Sequence, residues 1–148
     1  MTLQQWVDNG WLKPYVTSRQ EIANLRAIAR RDLGDARTGV LSDDWRFGIA
    51  YNATLKLCTV LLYAEGYRAM QNLAHYRTLQ ALPLILGAGR TADAGYLEIC
   101  RAKRNSVEYD SVGGATRADA DELAAFGEVL AEEVDQWLRT RHPELMAS

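Results

Sequence analysis

The sequence predicts an all-α protein, an up-and-down bundle of four to five helices. Apolar residues recur at three- and four-residue spacing along several long stretches, whereas no stretch alternates apolar and polar residues as a strand does. Residues that favour the N-cap position stand before these stretches, and the chain has only three prolines to interrupt them.

Serines mark the starts of the first two predicted helices. Ser18 is followed three residues later by Glu21, which is the spacing of a capping box at the start of helix one. Ser42 precedes two aspartates that favour the positive end of helix two. The apolar pattern extends helix two to about Gly66.

Three further helices are predicted in the second half of the chain. Helix three covers residues 71–86, and Pro83 is expected to kink it or end its regular part. Thr91 is expected to cap helix four, and Thr116 helix five. The glycine-containing segment 111–115 separates these last two helices.

Length and composition indicate one globular domain, residues 1–148, with an N-terminal segment at 1–17 and the bundle at 18–141. Apolar residues make up 48% and charged residues 24% of the chain, so the composition excludes a disordered class. The formal net charge of -2 excludes a uniformly basic nucleic-acid binder. It leaves room for a local cationic site, because basic residues cluster at 101–104.

A cytoplasmic location without a membrane partner is expected. The N-terminus has no cationic start followed by an apolar stretch, and the longest apolar region, 55–64, is too short to span a bilayer. Cys58 and Cys100 lie in apolar surroundings and are expected in the core.

One polar cluster, Arg104 to Asp110, has residue types suited to chemistry. An arginine donates bidentately to phosphate and stays charged, and Arg101 and Lys103 stand beside it as candidates for contacting RNA or nucleotide phosphates. A purely structural alternative stays open, in which Arg104 forms an ion pair with Glu108 one turn later.

Several stretches of the chain resemble the HEPN superfamily of small helical bundles, whose signature is an arginine, usually followed by asparagine, and then a histidine several residues later. The stretches that carry this resemblance are Lys103-Arg104-Asn105-x-x-x-Tyr109-Asp110, Asp44-x-Arg46-Phe47-x-x-Ala50-Tyr51-Asn52-Ala53, Gly66-Tyr67-Arg68, Trp137-Leu138-Arg139 and His142-Pro143.

The resemblance implies a homodimer whose two motifs face each other across a cleft. It also implies one of two roles in a prokaryotic toxin–antitoxin or nucleotidyltransferase-linked system. The first is a metal-independent ribonuclease, with Arg104, Asn105 and Tyr109 in the catalytic positions. The second is a non-catalytic scaffold that docks a partner nucleotidyltransferase, and in some relatives that partner modifies a tyrosine close to the motif with AMP.

Tyr109 stands where the superfamily has its histidine. An unperturbed tyrosine has a pKa of about 10 and is a poor general base at neutral pH, although it can donate a hydrogen bond to phosphate. Arg104 and Tyr109 also lie about 140° apart around a straight helix, so they meet only if the helix ends or if each serves one side of a dimer cleft.

His75 on helix three is a candidate for the missing imidazole, or for a contact with RNA or nucleotide. The simpler alternative is that His75 is a polar residue at the edge of the packed core. The chain has only two histidines and two cysteines, and their spacing predicts neither a metal site nor a cofactor.

Overall fold

The computed structural model describes residues 1–109 and 113–146, except for the side chains of 107–109. Within this part the chain forms seven α-helices and a two-stranded antiparallel ribbon, so the all-α bundle is confirmed and has more helices than predicted. The elements in chain order are α1 (Leu3–Asp8), β1 (Leu12–Pro14), α2 (Arg19–Ala36), α3 (Asp43–Ala64), β2 (Tyr67–Ala69), α4 (Ala74–Gln80), α5 (Leu82–Leu86), α6 (Thr91–Tyr109) and α7 (Arg117–Arg141).

The central element is α3, which packs against α2 and α7 on one side and against α4 and α6 on another. Twelve of its 22 residues are buried, among them Phe47, Tyr51 and Leu57. By length and mean hydropathy of 1.3 this helix could cross a membrane, but 61% of its apolar window is buried inside the protein. Packing within the bundle therefore accounts for its apolar sequence.

The start of α2 confirms the predicted N-cap but not the full capping box. The Ser18 hydroxyl accepts the backbone N–H of Glu21 at 3.0 Å. The Glu21 carboxylate does not return to the cap, because the hydroxyls of Tyr15 and Thr17 donate to it at 2.7 and 2.6 Å. The glutamate thus fixes the segment before α2 instead of closing the cap.

Two of the other predicted caps are confirmed and one is wrong. Ser42 caps α3, and Thr116 forms a capping box with Asp119 at the start of α7. Thr91 is already helical, and its hydroxyl donates to the carbonyl of Ala88 at 2.8 Å. A short 3-10 turn precedes α6 and removes the need for an N-cap there.

The predicted helix at 71–86 is two helices that break at Ala81. Pro83, the second residue of α5, cannot donate a backbone hydrogen bond, and its ring crowds the carbonyl four residues earlier. The first of these helices begins at Ala74 and not at the predicted residue 71, because Leu73 has a left-handed φ of 58°. The segment therefore forms two short, separate helices, α4 and α5.

The ribbon of β1 and β2 was missed by the sequence analysis, because three residues per strand carry too little alternation to detect. Its register places Lys13 opposite Arg68. The other face of the ribbon contributes Leu12 to a second core that also contains Trp6 and Leu62. The N-terminal segment is thus packed onto the bundle.

A partly buried ion-pair cluster joins α2 to α7. Asp135, whose side chain is 10% exposed, receives hydrogen bonds from Arg26 at 2.9 Å and Arg30 at 2.8 Å. Burial raises the pKa of Asp135, but the hydrogen bonds from the two arginines outweigh it, and the net pKa lies below the ordinary value. The folded state therefore favours the ionised carboxylate.

We expect Asp135→Asn to lower the free energy of unfolding by about 2 kcal/mol at pH 7, because Arg26 loses its carboxylate partner and Arg30 keeps only the exposed Glu132. The native pKa is depressed, so this contribution is complete above the unfolded value of about 3.9 and is lost as the pH falls through the native pKa. Urea titrations at several pH values should show the gap between wild type and variant closing in acid. Glu132→Gln, which removes an exposed partner of Arg30, is the control and should change little. A pH-independent gap would contradict this account.

Candidate phosphate-binding site

The candidate site is assembled around the ring of Tyr51, a fully buried residue of α3. The guanidinium carbon of Arg104, on α6, lies 5.4 Å from the centroid of this ring. The imidazole of His75, on α4, lies 6.5 Å from it, centroid to centroid. Because α4 and α6 both pack against α3 and against each other, the fold brings the sequence-predicted residues His75 and Arg104 to one tyrosine.

Arg101 joins this cluster because it precedes Arg104 by three residues and so shares its face of α6. Its guanidinium donates two hydrogen bonds to the carboxylate of Glu98, at 2.7 and 2.9 Å, and lies 5.9 Å from the ring centroid of Tyr76. These partners hold the arginine in place while 27% of its side chain stays exposed. We refer to Tyr51, His75, Arg101 and Arg104 as the Tyr51 cluster.

The electrostatic environment of the Tyr51 cluster keeps His75 neutral near pH 7. Partial burial lowers its pKa, and the positive charges of Arg104, Arg101 and Lys56 lower it further from the ordinary 6.5. A neutral imidazole with a free lone pair can accept a proton. The same three cations create a local field that favours a bound anion.

The Tyr51 hydroxyl lies inside this field and is protonated. Burial raises its pKa strongly, and the nearby charges of Arg104 and Arg101 oppose that rise only in part. Among the described residues the hydroxyl has no hydrogen-bond partner. Tyr51 is therefore not poised to accept a proton, and its contribution to the site is the ring against which His75 and Arg104 lie.

Not all of the sequence-predicted site residues join the cluster. Lys103 lies on a different face of α6, where its ammonium forms an ion pair with Asp119 of α7 at 2.9 Å. A contact of Lys103 with RNA or nucleotide phosphate therefore stays a prediction, and Lys103 is not part of the Tyr51 cluster. Asn105 is half-buried on α6. Tyr109 is the last residue of α6, and its side chain lies outside the described residues.

Sequence reasoning did not place Tyr51 or Lys56 at the candidate site. Tyr51 is a large hydroxyl-bearing residue in a stretch of small and aliphatic ones, and that contrast was the available signal. Its neighbours come from α4 and α6, so no local pattern could assign them. The role of Lys56 is likewise a long-range charge effect on His75.

A second arginine-rich region lies on another side of α3 and is structural. Arg46 is 7% exposed, and its guanidinium donates to the carbonyl of Ala36 and to the carboxylates of Asp43 and Asp121. Its donors are thus used to tie the start of α3 to the end of α2 and the start of α7. The adjoining open cavity of about 510 Å³ is lined by both signs of charge and does not single out an anion.

Among the side chains of residues 1–106 and 113–146, no group of three or more His, Cys, Asp or Glu is arranged to hold a metal ion. Both cysteines are buried thiols, and burial raises the pKa of Cys58 to about 12 and that of Cys100 to about 11. Neither thiol is poised as a nucleophile.

Comparison with family models, with curated proteins and with solved structures finds no match for this chain. The residues and geometry of the Tyr51 cluster therefore carry the functional interpretation.

Proposed function

We propose that this chain is a HEPN-like RNA-binding protein that holds backbone phosphate at Arg101 and Arg104 and cleaves the bound RNA without a metal ion. It would act as a homodimer in a prokaryotic toxin–antitoxin or nucleotidyltransferase-linked system. One observation carries the proposal: an arginine and a neutral histidine from different helices lie against the same buried tyrosine ring. Metal-independent cleavage needs these two groups, a cation for the phosphate and a base for the 2′-hydroxyl.

The chemistry assigns one role to each side chain. His75 takes the proton of the ribose 2′-hydroxyl, and the 2′-oxygen then forms a bond to phosphorus. Arg104 stabilises the negative charge that grows on the phosphorane oxygens. The bond from phosphorus to the 5′-oxygen breaks, and that oxygen takes a proton from a water molecule, which in turn receives the proton held by His75. The products are a 2′,3′-cyclic phosphate and a 5′-hydroxyl, and His75 is neutral again. Tyr109 is not needed as a base in this scheme.

Binding is tested with a labelled single-stranded RNA in EDTA, followed by fluorescence anisotropy. The wild-type protein should bind, and the double variant Arg101→Gln/Arg104→Gln should lose at least tenfold in affinity, because two phosphate contacts are removed. The control is Arg31→Gln, which removes an arginine whose side chain is 66% exposed. Arg31 is on α2, which packs against α3 and α7 and not against the helices α4 and α6 that carry the proposed site. Equal binding by the double variant and the wild type would refute the proposed site.

A second candidate, the non-catalytic scaffold, is favoured by apolar side chains at the surface. Ile99 on α6 is 66% exposed and Val129 on α7 is 62% exposed, and exposed apolar side chains mark a protein-binding surface where they form one contiguous patch. In that case a nucleotidyltransferase would be retained by wild type and lost by Ile99→Glu. A protein that leaves RNA unbound but retains the nucleotidyltransferase would favour the scaffold over the RNA-binding protein.

A further inference from the structure

Arg77, on α4, is held in an aromatic cage next to the Tyr51 cluster. Its guanidinium carbon lies 3.7 Å from a ring centroid of Trp11, 5.3 Å from that of Tyr76 and 5.9 Å from that of Trp6. A guanidinium that stacks on an indole uses its face for the contact and keeps the N–H groups at its edge for hydrogen bonds. The cage therefore fixes a cation without using its donors.

No acidic side chain neutralises this cation within the described residues. Arg77 forms neither an ion pair nor a side-chain hydrogen bond there, in contrast to Arg90, which binds two carboxylates. The neighbouring ribbon adds Lys13 and Arg68, which lie directly opposite each other in its register and also lack an ion pair with a described residue. This side of the molecule is thus cationic although the whole chain has a formal charge of -2.

The caged arginine is continuous with the Tyr51 cluster through Tyr76. The ring of Tyr76 lies 5.3 Å from the guanidinium carbon of Arg77 and 5.9 Å from that of Arg101. Trp11, Arg77, Tyr76 and Arg101 therefore form an alternating row of aromatic and cationic groups. Alternation of this kind is what single-stranded nucleic acid uses, since bases stack on aromatic rings while phosphates bind cations.

We propose that Arg77, caged by Trp11 and Tyr76, is a second phosphate subsite for single-stranded RNA. The RNA strand runs from the Tyr51 cluster across Tyr76 toward the ribbon. This inference rests on the proposed RNA-binding function and adds a subsite outside the HEPN-like motif. A duplex is a poor fit, because its bases are already stacked on each other and cannot use the aromatic rings.

The test compares two unlabelled single strands as competitors in the anisotropy assay, a dinucleotide with one phosphate and a strand of about 12 nucleotides. The single phosphate of the short strand occupies the Tyr51 cluster alone, whereas the long strand occupies the Tyr51 cluster and Arg77 together. Arg77→Gln should weaken the long strand about tenfold and leave the short strand unchanged. The slope of log K against log salt for the long strand should fall by about 0.7, the value for one phosphate contact on a single strand.

Arg77→Lys and Arg31→Gln complete the design. Arg77→Lys keeps the positive charge and hence the slope of log K against log salt. It loses the planar guanidinium that stacks on Trp11, so it should bind the long strand less tightly than wild type. Arg31→Gln should resemble wild type with both strands. Thermal melting of each variant checks that the protein is still folded.

Each outcome separates the subsite from the wider proposal. If wild type binds both strands but Arg77→Gln binds the long strand with unchanged affinity and slope, the subsite is refuted and the Tyr51 cluster stands. If a duplex of the same length binds as tightly as the long strand, the single-strand assignment is refuted. If wild type binds neither strand, the proposed function fails and the subsite with it.

Discussion

His75→Gln is expected to slow RNA cleavage in EDTA by a factor of about 10²–10⁴, the usual contribution of a general base. RNA binding should stay within about twofold of wild type, because glutamine is neutral, as His75 is near pH 7. Cleavage is measured as the appearance of 2′,3′-cyclic phosphate ends. The matched control is His142→Gln, which changes the other histidine of the chain and should cleave normally.

The pH dependence follows from the direction of the His75 pKa shift. The base must be neutral to accept a proton, so kcat/KM, which reports the free protein, should rise with pH and reach its plateau past a midpoint below 6.5. A His75→Gln variant with wild-type activity would contradict the assigned role. A wild-type protein that binds RNA and leaves it intact would remove cleavage from the proposal and keep binding.

Gly127→Leu is expected to lower the free energy of unfolding by about 3 kcal/mol, or roughly 10 °C in Tm for a chain of this length. Gly127 lies where α7 crosses α2 and α3. A Cβ added there would stand 2.6 Å from a methyl carbon of Leu33 and 3.2 Å from the hydroxyl oxygen of Thr54. Both neighbours are buried, so neither can move into solvent, and the helices must separate.

The control for Gly127 is Gly34, a helical glycine of α2 with open space around its Cβ position. Gly34→Leu should be neutral or slightly stabilising, because leucine is a better helix former than glycine by roughly 0.8 kcal/mol. Urea denaturation of both variants measures the difference directly. Equal stability of the two leucine variants would show that the three helices do not cross as tightly as described.

The features of the fold that the sequence predicted are set by residues close together in the chain. The caps at Ser18, Ser42 and Thr116 are local hydrogen bonds, so their residues reveal them. The ribbon escaped detection because its strands are three residues long and are held by pairing with each other. The break at Ala81 was displaced from the predicted position because a proline disturbs the turn before it.

The candidate site was likewise predictable only where its residues lie close together in the chain. Arg104 and Arg101 were found because they stand together on one helix. The approach of His75 to Tyr51, and of Arg77 to Trp11, depends on how α4 packs against α3 and the ribbon. No local pattern encodes that packing, so sequence reasoning could nominate His75 but could not supply its neighbours.

The most direct test of the account is the pKa of His75, measured by NMR with and without a bound single-stranded RNA. A 2′-O-methyl RNA is used, so that no cleavage occurs. In the free protein the pKa should lie below 6.5, because burial and three cations oppose protonation. A phosphate bound at the Tyr51 cluster should raise it, while the resonances of His142 give an internal reference. A His75 pKa that stays unchanged at saturating RNA would contradict the claim that this cluster binds RNA phosphate.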